Sequence, residues 1–334
     1  QSLVIVLSTA TFSRTNRVGR ERVGLTMRIE FATAAQIVFG RGVLQEIGPA
    51  ARGLGEKALL VTGYRGPDFD KLCQLLEANG ISWSHFSVSS EPSIETVEAG
   101  IQAARSARSD LIIGFGGGSA IDTAKAVAAL ITNPGEVPDY LEVVGRGQSL
   151  GERPAPFIAI PTTAGTGSEV TRNAVLVVPE KRVKVSLRSP MMLARLALID
   201  PDLTLGLPPA VTATTGMDAL AQVIEPYVSN RANPLTDLYC REGILRGSRS
   251  LLRAYQNGQD SEAREGMAFT SLMGGLALAN AGLGAVHGFA GPIGGMFDAP
   301  HGAVEIEKKL VSACRHEKNP AREAGLMQYS DFGV

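Results

Sequence analysis

The stretch GFGGGSAIDTAK (114–125) decides the fold. It completes a mostly apolar run over 110–116 that reads as a buried strand, and it leads into residues 120–130, which read as a helix. A strand that passes through glycines into a helix start leaves the first-turn N–H groups unbonded. Together with the helix dipole, they suit a phosphate or pyrophosphate. Gly116, Gly117 and Gly118 remove the Cβ atoms that would hold such a ligand away, and Ser119 is expected to cap the helix. The spacing is GxGGGS, not the G-x-G-x-x-G dinucleotide fingerprint. On these residues alone, a tight turn without a ligand stays open as the alternative.

Working outward, strand-like runs over 57–62, 83–88 and 157–160 alternate with helical periodicities over 69–77 and 94–107. Alternation of this kind predicts right-handed βαβ units and a mostly parallel sheet. The strand at 157–160 runs into a second loop, PTTAGTGSEVT (161–171), which offers Thr162, Thr163, Thr166, Ser168 and Thr171 beside two glycines. Two such loops after two parallel strands face one crevice at the carboxyl ends of the sheet, where open α/β sheets bind cofactors. A hairpin is predicted over 172–178 and 183–187, with Lys184 in its second strand. From about 207 the pattern becomes helical, with further helices over 237–254 and 263–283, the last apolar nearly all round. The expected organisation is a loose extension over 1–26, an α/β domain over 27–188 and an all-helical domain over 189–334.

Composition narrows the function. The 334 residues carry 32 Lys plus Arg against 33 Asp plus Glu, a net charge of −1 that excludes a strongly basic nucleic-acid binder. The apolar fraction of 44% supports an ordinary buried core, and no stretch reaches the eighteen apolar residues of a membrane span. Three scattered cysteines without a CxxC fit a reducing, cytoplasmic compartment. Only four histidines are present, and two of them, His287 and His301, bracket one glycine-rich segment. Asp218 and Gln222 share a helix face at i and i+4 inside an apolar stretch, where an unpaired carboxylate is expensive. These four residues can make a divalent metal site with an open position, or a capped aspartate beside two core histidines.

With these motifs in place, the chain resembles the iron-containing (group III) alcohol dehydrogenases, which have maleylacetate reductases as close relatives. The resemblance rests on VFGRG (38–42), GGGSAIDTAK (116–125), PTTAGTGSEVT (161–171), IDPDLTLGLPP (199–209), TGMDALAQVIEPYVS (215–229) and HGFAGPIGGMFDAPHG (287–302). It implies an N-terminal nucleotide-binding α/β domain, a helical C-terminal domain, and a hydride transfer between NAD or NADP and an alcohol, aldehyde or ketone. By the same resemblance, Gly116, Gly117, Gly118 and Ser119 form the pyrophosphate loop with Asp122 behind it. Thr162 and Thr163 lie around the nucleotide, and Thr171 and Lys184 lie nearer the ribose and nicotinamide. Asp218, His287 and His301 stand as catalytic metal ligands for iron or zinc, while Gln222 occupies the place of the family's further histidine. Gly63 stands where many members carry an aspartate that repels a 2′-phosphate, with Arg65 close by. Gly291 stands where many carry another histidine, and the family's further helices are not recognisable after about 302. Two alternatives stay in view: a maleylacetate-reductase-like ketoacid reductase, which would want basic residues in its substrate pocket, and, because of these departures, a nucleotide-binding paralogue with weak or no catalysis. The expected partner is a small alcohol or carbonyl compound, with no nucleic acid and no membrane, in a homodimer.

Overall fold

The structure is a computed structural model that describes residues 29–290. His301, Gly291, the extension over 1–26 and the end of the chain after 302 therefore lie outside the described residues.

The first half alternates β1 (Ile37–Phe39), α1 (Ile47–Arg52), β2 (Lys57–Thr62), α2 (Pro67–Ala78), β3 (Ser82–Ser87), α3 (Ile94–Ala107), β4 (Leu111–Gly116), α4 (Gly118–Leu130) and α5 (Val137–Tyr140). There follow β5 (Phe157–Pro161), the hairpin β6 (Asn173–Val178) and β7 (Val183–Arg188), and β8 (Leu196–Ile199). Six strands form one parallel sheet in the order β1-β8-β5-β4-β2-β3, while β6 and β7 pair antiparallel. Local chemistry sets the boundaries. Pro67 opens α2, and the Ser93 side chain accepts from Thr96 N at the start of α3.

Side chains alternate across the sheet as the strand period demands. Leu59 and Val61 pack with residues of α3 and α4 on one face, and Ala58 and Leu60 pack with α1 and α2 on the other. The chain leaves β2 for β3 on one side and returns through α3 to β4 on the other. This reversal opens a crevice at the carboxyl ends of β2 and β4, the place where such sheets accept ligands.

Two expectations are corrected. The boundary predicted at 188 falls inside the α/β body, because β8 pairs with both β1 and β5 in the large sheet. A four-residue strand after a hairpin has too little periodicity to announce which sheet it joins. Ser119 does not cap α4: the N-cap is Gly117, and Ser119 lies in the first turn of the helix.

The second half is α6 (Pro209–Val228), α7 (Pro234–Gln256) and α8 (Ser261–Ala281), packed against one another. Asn233 and Asp260 cap α7 and α8 with their side-chain oxygens. The α8 helix is buried along almost its whole length and also touches the loop after β5. There Gly167 takes φ +59°, and a Cβ on it would lie 2.5 Å from Gly275 Cα. The two halves thus meet backbone to backbone. Among the described residues, no helix is long and apolar enough to cross a membrane.

Candidate active site

The glycine loop lies where the sequence implies. Helical bonding in α4 starts with Ile121 N donating to Gly117 O, so the N–H groups of Gly118, Ser119 and Ala120 are left for a ligand. Gly118 also allows the two loops to approach, since a Cβ there would stand 2.8 Å from Thr166 Cγ2. A Cβ on Gly117 would stand 3.3 Å from Thr163. Thr162 N donates to Gly116 O at 2.9 Å, which stitches the second loop to the first.

A cleft of about 1000 Å³ opens at this point, lined by Gly63 after β2, Gly116–Ser119, Thr162 and Thr163, and by Leu207 and Pro208 at the entry to α6. Its size suits a nucleotide moiety. Arg65 is exposed and stacks over the Phe69 ring, 5.4 Å from its centroid. A second cavity of about 240 Å³ shares Gly118, Ser119 and Glu91 with the first and continues to Gln222, His287, Leu278 and Leu283. One crevice therefore runs from the crest of the sheet into the helical half.

Several expected cofactor residues are committed to the frame of this cavity. Asp122 accepts from Ser168 Oγ and from Val175 N at 2.9 Å, tying α4 to the second loop and to β6. Lys184, its side chain 5% exposed, is held by Glu91 at 2.6 Å across the cavity wall. Thr171 Oγ1 donates to Ser168 O and accepts from Lys125 Nζ at 3.0 Å. Lys125 is the residue that motif reading passed over. It is 1% exposed and donates to Ser168 O, Ser168 Oγ, Thr171 Oγ1 and Asn173 O at 2.7–3.0 Å. Burial pushes its ammonium below the ordinary range, while Asp122 pulls the other way. Nearby Glu169 is pushed up to about 7 by burial, against its own backbone amide and Lys125. A buried cation that bonds four oxygens of one loop fixes that loop's shape.

At the far end, Asp218 and Gln222 are each 3% exposed. Gln222 Nε2 donates to Asp218 Oδ1 at 2.7 Å, and Gln222 Oε1 is buried without a hydrogen-bond partner. His287, in the helical stretch over 285–290, brings Nε2 to 3.3 Å from Asp218 Oδ1. Its Nδ1 meets Glu225 Oε2 at 2.5 Å. Glu225 was not singled out from the sequence, yet the signal is present: 218, 222 and 225 follow i, i+4, i+7 on one helix face. Burial pushes the Glu225 carboxyl up, but the His287 imidazole and the amides of Val286 and Gly284 outweigh it and hold it below its usual range. Among the described residues, no three His, Cys, Asp or Glu groups come together as a metal cluster. Two candidate ligands and one amide converge here, and His301 lies outside the described residues.

Comparison with known proteins meets this geometry. Residues 34–201 match the model for iron-containing alcohol dehydrogenase, and residues 212–322 match that for the C-terminal part of the Fe-containing alcohol dehydrogenase family. Long-chain-alcohol dehydrogenase 1 of Geobacillus thermodenitrificans (strain NG80-2) is 41% identical over 281 residues, which cover 81% of this chain and 70% of that one. The NAD-dependent methanol dehydrogenase of Bacillus methanolicus is 35% identical over 271 residues, covering 79% of this chain and 70% of that one. A crystal structure of a 1,3-propanediol oxidoreductase superposes with a TM-score of 0.81 at 32% identity, covering 92% of this chain and 90% of that one. The fold agrees with these matches, and the chain belongs to the iron-containing alcohol dehydrogenase family, NAD(P)-dependent oxidoreductases that act on alcohols and their aldehyde or ketone partners.

Proposed function

We propose that this chain interconverts a short aliphatic alcohol and its aldehyde with NAD(H) or NADP(H), in the crevice between the glycine loop and the Asp218–His287 pair. The observation that carries the reading is the continuity of the two cavities through Gly118 and Ser119. The larger cavity takes the adenosine half of the dinucleotide, the N–H groups at the start of α4 take the pyrophosphate, and the smaller cavity takes the nicotinamide and substrate. The smaller cavity measures about 240 Å³ and has Val175, Leu278 and Leu283 among its walls, which favours a short apolar substrate. At the mouth of the adenosine cavity, Gly63 is exposed and offers no carboxylate against a 2′-phosphate, so both dinucleotides are accepted.

The donor set fits a divalent cation. Asp218 Oδ1 and His287 Nε2 stand 3.3 Å apart, close to the ~3.4 Å that two ligands about 2.1 Å from one tetrahedral ion would show. The orphaned Gln222 Oε1 is a buried acceptor that lacks a positive partner. Asp218 and His287, with Gln222 and His301, would hold iron or zinc, which when bound supplies a Lewis acid for the substrate oxygen. The chain's own residues do the rest. Lys125 and Asp122 hold the loop wall against which the nicotinamide is oriented, and the apolar wall excludes water from the hydride path. An amide in place of an imidazole is a weaker ligand, so this centre loads less tightly than one with a full histidine set.

The test is NAD(P)H-linked reduction of propanal and butanal by chelator-treated protein, with and without added Fe²⁺ or Zn²⁺. Turnover that returns with metal supports the reading. Tight cofactor binding with no turnover under any metal refutes it and favours a nucleotide-binding paralogue.

A further inference from the structure

We propose that Glu225 is the positioning residue of the His287 centre: its carboxylate accepts the Nδ1–H hydrogen bond of His287, fixes the ring and its tautomer, and leaves Nε2 directed toward Asp218 as a cation ligand. This rests on the metal reading above. Three observations carry it. Glu225 is 6% exposed, and its two oxygens are divided between two tasks. Oε2 meets His287 Nδ1 at 2.5 Å, and Oε1 accepts from Val286 N at 2.7 Å. Because Val286 N–H donates only, it pins Oε1 and leaves Oε2 as a fixed acceptor for the ring.

The second observation is the opposite side of the same ring. Nε2 stands 3.3 Å from Asp218 Oδ1. If Glu225 holds the proton on Nδ1, the Nε2 lone pair and the carboxylate face each other, an arrangement that calls for a cation. A ring whose far nitrogen donates to a carboxylate keeps one tautomer and is a more basic ligand. The third observation is the cost. A carboxylate this deep is expensive, and an apolar side chain of similar volume would commonly serve stability as well or better. The geometry also leaves little freedom, since a Cβ on Gly284 would stand 3.1 Å from Glu225 Oε1. The carboxylate is therefore held at both ends, by the chain that carries His287 and by the ring itself.

The decisive variant is Glu225→Gln. The amide oxygen stays with Val286 N–H, so the amide N–H₂ turns to Nδ1 and forces the ring proton onto Nε2, which removes the ligand lone pair while keeping size and shape. Calorimetric titration with Zn²⁺ should show affinity roughly 10–100-fold weaker than in the unaltered protein, with the thermal midpoint and NADH affinity unchanged. If Glu225 merely docks the segment over 284–287, E225Q will bind Zn²⁺ as tightly as the unaltered protein, and the inference falls. If E225Q does not fold, Glu225→Ala titrated with Zn²⁺ in the presence of formate decides. Recovery of affinity with formate but not with chloride supports the positioning role, and no recovery overturns it. An unaltered protein that binds no Zn²⁺ overturns the metal reading itself, and this inference with it.

Discussion

Replacing Gly275 with alanine tests how the two halves are joined. In a helix this change alone gains about 1 kcal/mol, because alanine is the better helix former. Here the new Cβ would stand 2.5 Å from Gly167 O and 2.7 Å from Val170 Cγ2. Ordinary contact begins near about 3.5 Å, so the loop after β5 must retreat by most of an ångström. Overpacking of this kind costs about 1–3 kcal/mol, and the upper end applies because the carbonyl belongs to the backbone and cannot rotate away. The net loss is about 2 kcal/mol, or a fall in thermal midpoint of about 3 °C for a chain of this size. The displaced loop also carries Thr166 against Gly118, so NADH affinity should weaken several-fold. Thermal melts by circular dichroism and NADH fluorescence titration read the two effects. Gly151→Ala is the control, because a Cβ there meets nothing within 4 Å. A G275A protein as stable as the unaltered one, with unchanged NADH affinity, would show that the close backbone contact is not what holds the crevice.

Three further outcomes are expected. Gly117→Val places branched methyls between Thr163 and the pyrophosphate position, so NADH should bind roughly tenfold or more weakly; equal binding in a folded variant refutes the loop assignment. NADH and NADPH should bind within about 2.7 kcal/mol of each other, or a hundredfold in Kd, because Gly63 offers no repelling carboxylate; isotherms at equal ionic strength decide this. Gln222→His replaces a neutral amide, a weak ligand, with an imidazole, so Zn²⁺ affinity should rise. Calorimetry that shows no gain would mean residue 222 does not face the ion.

Much of this protein follows from local sequence. The strands at 57–62 and 110–116, the helices over 94–107 and 120–130 and the hairpin around Pro179 are periodic or punctuated segments, and their neighbours along the chain suffice to specify them. The glycine loop is legible for the same reason, since a strand, three glycines and a helix start are contiguous. Asp218 and Gln222 are also readable as a pair, being one helical turn apart. Tertiary structure decided what contiguity cannot. The four residues of β8 carry no mark of the sheet they join, and only pairing with β1 and β5 places them in the α/β body. Lys125 reads as one more helical lysine until the loop over 168–173 folds over it and buries its charge. Gly167 and Gly275 are separated by more than a hundred residues, and their contact exists only once the halves close. Glu225 shares its helix face with Asp218, but its role depends on His287, sixty-two residues away in sequence. Local propensity acts through bonds between near neighbours, whereas a buried charge is defined by whichever distant group the fold brings to meet it.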